Sequence, residues 1–204
     1  MKQFILALQL ISNCMMAQDS LNNLSGMLGV PFGASKATVV NMMRMKYPNA
    51  SIDSSEYNAY YITNVKWGNS ESDNILFHFD TDGAFTDGGI YHEPMDKNDI
   101  FSEYRALVAS FDSKYHLHDS NEERWIEPYN ASDEVKYGLS ALKMGKAKFS
   151  TKYFFNVNPS DPSKVGQKIT LSLATSVGII ITYMDVEPAI KRLEAVQKNQ
   201  ASDY

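Results

Sequence analysis

Two blocks of alternating apolar residues restrict the fold of this chain more than any other feature. In the first, Ile75, Phe77 and Phe79 alternate with Leu76, His78 and Asp80, and residues 85–92 form a return segment after Thr81-Asp82-Gly83. In the second, Phe149, Thr151, Tyr153, Phe155 and Val157 alternate, then Ile169, Leu171 and Leu173, then Val177, Ile179, Ile181 and Tyr183. Successive side chains of a strand point to opposite faces, so a period of two lays one set on a core. The Asp-Gly pair suits the positive φ of a tight hairpin. With residues 57–67, rich in Tyr, Ile, Thr and Val, these segments predict two antiparallel meanders.

Between them the period changes. Val39, Val40, Met43 and Tyr47 recur at helical spacing after Ser35, an N-cap type, and Pro48 stops that helix. Residues 96–115 repeat Ile100, Phe101, Tyr104, Leu107, Val108, Phe111 and Tyr115 every three or four positions. A short helix is expected over residues 133–144 after Ser132, and a last one over 186–196 with Ala189, Ile190, Leu193 and Val196 on one face. The expected order is helix, three strands, long helix, three strands, helix. That is an α+β chain of antiparallel meanders packed against helices gathered on one face, read as two α-β-β-β units in tandem. Residues 28–204 are expected to form one domain, with subunits at 28–95 and 96–198, preceded by a flexible lead-in over 18–27.

Residues 1–17 have the layout of a secretory signal: Lys2, an apolar run from Phe4 to Ile11, and Ala17 before the cut. The run is shorter than the ~20 residues that span a bilayer, so no membrane span is expected. Cleavage after Ala17 would remove Cys14, the only cysteine, and with it any disulfide or thiolate chemistry. The alternative is a lipid anchor on Cys14, since Ile11-Ser12-Asn13 partly resembles a lipobox. Either way the expected location is extracytoplasmic, in the periplasm or at the cell surface. Net charge is −5, and no Lys/Arg cluster is evident, which argues against nucleic acid as a partner.

The segment Leu28-Gly-Val-Pro-Phe-Gly-Ala-Ser-Lys36 resembles a recurrent turn that launches a helix onto a meander in small exported bacterial proteins. With Phe111-Asp-Ser-Lys-Tyr115 and Ile179-Ile-Ile-Thr-Tyr183-Met-Asp185, the chain resembles uncharacterised secreted proteins of Bacteroidetes with the layout of β-lactamase-inhibitor-like domains. The small lipoprotein of the outer-membrane barrel-assembly machinery shares that layout. The resemblance implies protein binding or envelope scaffolding and transfers no functional residue.

Candidate chemistry is sparse. Asp80-Thr-Asp82-Gly83 does not continue as a calcium loop, because His78 and Gly89 would occupy ligand positions 1 and 12. His78, His92, His116 and His118 show no zinc spacing and are expected to be solvated. Glu122-Glu123 reads as a solvated turn, and no nucleophile elbow or phosphate loop is present. No metal, cofactor or catalytic residue is therefore expected. The aromatic residues Tyr57, Tyr61 and Trp67, with Tyr153 in the second meander, are the candidate binding residues. One set of rings is buried by alternation, and the other is either covered by helices or faces solvent. The expected function is an exported, non-catalytic binding or scaffolding module for an envelope protein partner. The alternative is a small hydrolase or ligand-binding enzyme with His92 or His116 as base.

Overall fold

The computed structural model describes residues 23–55, 58–65, 73–116, 118–161 and 164–202. The first half contains β1 (Gly26–Met27), β2 (Val30–Pro31), α1 (Lys36–Lys46), β3 (Ser51–Ser55), β4 (Ala59–Val65), β5 (Asp73–Phe79) and β6 (Phe85–His92). The second half contains α2 (Ile100–Lys114), β7 (Ser120–Trp125), α3 (Glu134–Lys143), β8 (Ala147–Phe155), β9 (Gln167–Ala174), β10 (Gly178–Asp185) and α4 (Val186–Ser202). The fold is α+β, with one eight-stranded antiparallel sheet in the order β3-β4-β5-β6-β10-β9-β8-β7 beside the small β1-β2 hairpin.

The first half is thus a helix followed by a four-stranded meander; the second is a helix and four strands with α3 inserted between β7 and β8, and the two sets meet where β6 pairs with β10, from Ile179↔His92 to Met184↔Asp87. The expected three strands per half become four. Neither added strand has an apolar alternation to announce it. β3 reads Ser-Ile-Asp-Ser-Ser and forms by pairing with β4, while β7 reads Ser-Asn-Glu-Glu-Arg-Trp and pairs with β8. Both lie at the sheet edges, where polar and charged strands discourage pairing with other chains. Glu122-Glu123 therefore belongs to a strand, not to a loop-like turn.

The helix ends follow their caps. Ser35 accepts from the Thr38 N–H, as expected for an N-cap. Asp96 caps a single 3-10 turn (Lys97–Asp99) that leads into α2. The cap before α3 is Asn130, in a reciprocal capping box with Asp133, rather than Ser132. In the β5–β6 hairpin, Asp80 Oδ1 accepts from the N–H groups of Asp82 and Ala84, and Gly83 takes φ +81°.

One face of the sheet carries the main core. Phe101, Tyr104 and Phe111 of α2 pack on Phe149 and Tyr153 of β8, and Val39 and Met43 of α1 join the same cluster. Residues 24–27 are not a flexible lead-in: Leu24 and Met27 are fully buried in this core. Met27 sits on Gly88 of β6, where a Cβ would lie 2.7 Å from Met27 Cε and 2.4 Å from the Leu76 carbonyl oxygen. The helices do not all gather on that face. α4 follows β10 without a linker and packs on β6 and β10 from the opposite side, with Ala189 buried beneath it.

Candidate functional site

The strand registers lay out the face that carries α4 as rows of side chains. One row runs Asp53, Tyr61, Leu76, Gly89, Thr182, Thr170, Lys152, Ser120 across all eight strands. A flanking row includes Asn74, Tyr91, Ile180, Ser172, Ser150 and Glu122, and the row on the other side includes His78, Asp87, Met184, Lys168 and Phe154. These residues are the out-of-phase half of each alternation, opposite the core.

α4 is fixed to this face through Asp87. Arg192 Nε donates to Asp87 Oδ1 at 3.0 Å and Nη2 to Oδ2 at 3.1 Å, while Thr86 Oγ1 donates to Oδ1 at 2.8 Å. His78 Nδ1 lies 2.7 Å from Oδ2. Burial alone would push the Asp87 carboxyl up. The hydrogen bond and charge of His78, with the charge of Arg192, outweigh it and hold the group below the ordinary carboxylate value.

Of the two candidate binding residues among those described, Tyr61 is placed at an accessible part of this face. It is 45% exposed on β4 and registers with Leu76 on β5. Leu76, Tyr91 and Ile180 are half-buried neighbours that the sequence reading missed; their signal was their place in the outward phase. Tyr153 is on the opposite face and fully buried, a correction to its grouping with Tyr61. Its hydroxyl donates to Asp112 Oδ1 at 2.9 Å. Burial first, and then the Asp112 carboxylate, push its ionisation far up. Tyr153 stood in phase with Phe149 and Phe155, which already assigned it to the core row. Tyr57 and Trp67 lie outside the described residues, as do Cys14 and the leader.

The histidines are not solvated singly, as expected, but each faces a carboxylate. His92 is buried between Asp73 Oδ1 at 2.9 Å from Nδ1 and Glu103 Oε1 at 2.8 Å from Nε2. Burial would lower its pKa, yet the two carboxylates more than reverse this and raise it to about 9. His118 Nδ1 lies 3.1 Å from Asp112 Oδ1, and His116 Nε2 lies 3.0 Å from Asp119 Oδ2. A base needs an unprotonated, accessible nitrogen. His92 has both nitrogens engaged, so this geometry does not set up the role expected of it in a hydrolase. Glu123 and Glu134 both receive the Arg105 guanidinium, which lies over the Phe149 ring.

Among the described residues no group of three or more His, Cys, Asp or Glu is disposed to hold a metal ion, and no helix is long and apolar enough to cross a membrane. No protein-family model, no curated protein and no solved structure matches the chain.

Proposed function

We propose that this protein is an exported, non-catalytic binding module that recognises an envelope protein partner through the sheet face bearing α4. The observation that carries this reading is the exposed Tyr61 ring in register with Leu76, on a face where α4 packs on β6 and β10. Tyrosine beside aliphatic residues, rimmed by polar ones such as Asn74 and Asp53, is the composition that protein interfaces favour. The continuous eight-stranded sheet supports the same reading, since a broad sheet face offers area rather than a cleft. Export rests on the layout of residues 1–17, and sequencing the amino terminus of the protein recovered from its native cells checks it.

The binding test is affinity capture from extracytoplasmic extract with the wild type, a Tyr61→Ala/Leu76→Asp variant, and Val135→Asp as a control. Val135 is fully exposed on α3, away from the proposed face. A prey kept by the wild type and the control but lost by the double variant supports the proposal. Equal recovery by all three removes this face from consideration.

A further inference from the structure

On the β7–β9 side of the same face, the charge of the molecule is reversed. The chain carries net charge −5, yet the outward positions here hold Arg124, Lys148, Lys152 and Lys168 against one carboxylate, Glu122. Arg124 is paired with Glu122 at 3.2 Å. The three lysines form no ion pair among the described residues. Arg124 and Lys148 are direct cross-strand partners, an arrangement of like charges that destabilises a sheet. Folded chains keep such local conflicts chiefly where they serve a function.

We propose that this strip docks an extended acidic segment of a polypeptide, running along β8. The inference rests on the binding reading above only in using the same face. Charge complementarity selects an anion. Spacing then selects the kind of anion. Lys148 and Lys152 are four residues apart on one strand, about 13 Å at strand rise, and an extended chain presents side chains on one side every ~7 Å. Carboxylates at every second or fourth residue of an extended peptide are therefore commensurate with the two lysines. Lys168 lies one strand over and two residues from the Thr170 partner of Lys152, roughly 8 Å away. Between the lysines stand Ser150, Thr170 and Ser172, hydroxyls that bond peptide groups and offer acyl chains nothing to enter.

The test uses the full chain and a fluorescent peptide of alternating Glu and Ser, followed by anisotropy at low and at physiological salt. The wild type is expected to bind it, with affinity falling as salt rises. The Lys148→Glu/Lys152→Glu/Lys168→Glu variant should bind roughly tenfold more weakly or worse, with the Gln counterpart intermediate. Circular dichroism should be unchanged in both and melting no lower than the wild type's, since Lys148 and Lys152 are exposed, Lys168 is half-buried and the substitution at Lys148 relieves its repulsion with Arg124. Equal binding by wild type and charge-reversal variant overturns the proposal, as does wild-type binding no tighter than to a Lys-Ser peptide. Lysine-dependent binding of a sulfated polysaccharide or of phosphatidylglycerol vesicles, without binding of the acidic peptide, overturns the assignment to a polypeptide. The Tyr61→Ala/Leu76→Asp variant should bind the peptide as the wild type does, so loss of the capture result leaves this inference standing, and the reverse also holds.

Discussion

Arg192 of α4 grips both oxygens of Asp87 on β6, and both side chains are nearly buried, at 10% and 6% exposure. A buried pair of this kind is costly to break from one side, because the remaining charge has left water without a full set of partners. Arg192→Ala is expected to destabilise the fold by about 3 kcal/mol and to release α4 from the sheet. Denaturant unfolding measures the first effect. Hydrogen exchange over residues 186–202 measures the second, and protection equal to the wild type would show that other contacts dock the helix.

His92 makes stability depend on alkaline pH. Its folded pKa of about 9 lies above the ordinary 6.5, so the imidazolium held by Asp73 and Glu103 contributes fully below pH 6.5. That contribution fades as pH rises through 9, and the difference is worth on the order of 3 kcal/mol. Urea midpoints should fall between these limits in the wild type. In His92→Gln, which carries no ionisable ring, the same interval should be flat; an equal slope in both proteins would assign the effect elsewhere.

What could be read in advance followed from how much apolar periodicity each element owns. Among the described residues, β5, β8, β9 and β10 carried a repeat of two and the four helices one of about 3.6, β4 and β6 were marked by composition and by the Asp-Gly turn, and each formed close to its expected span except the last helix, which runs on to Ser202. β3 and β7 were silent because an edge strand takes its shape from one neighbour and has little to bury: β3 offers Ile52 alone, and β7 ends on Trp125. The side on which α4 packs was hidden for a different reason. It depends on Asp87, which sits beside Gly88 and Gly89 in a strand whose alternation is broken there, and on an arginine 105 positions later. For the binding face, the count of aromatic residues misled where their phase would not have. Tyr153 was in phase with the core, while Tyr61 was out of phase with Ile62.

Thr151 is a polar residue in the buried row of β8, and its hydroxyl joins two elements. Its Oγ1 lies 2.7 Å from the Tyr104 hydroxyl on α2 and donates to Asn121 Oδ1 of β7 at 2.9 Å. Burial, the main cause, pushes the Tyr104 pKa up to about 12. Thr151→Val keeps the shape and removes both bonds, leaving the buried Tyr104 hydroxyl without this partner. The expected loss is about 1–3 kcal/mol. Adding Tyr104→Phe removes that hydroxyl, so the double variant should lose less than the two single losses together; simple additivity would show that the hydroxyls are not coupled.

Gly88 tests whether the amino-terminal hairpin is part of the core. An alanine there would put a methyl group 2.4 Å from the Leu76 carbonyl oxygen and 2.7 Å from Met27 Cε. The methionine tip can turn aside, since its thioether chain is flexible. The carbonyl belongs to the neighbouring strand and yields only if β5 and β6 separate locally. Overpacking of this kind costs about 1–3 kcal/mol, and shortening Met27 to alanine should not restore it, because the backbone contact remains. Met27→Ala alone should cost about 2–5 kcal/mol by leaving a cavity above Gly88. Thermal unfolding of the three variants decides the matter: if Met27→Ala melts with the wild type, β1 and β2 lie on the domain without stabilising it.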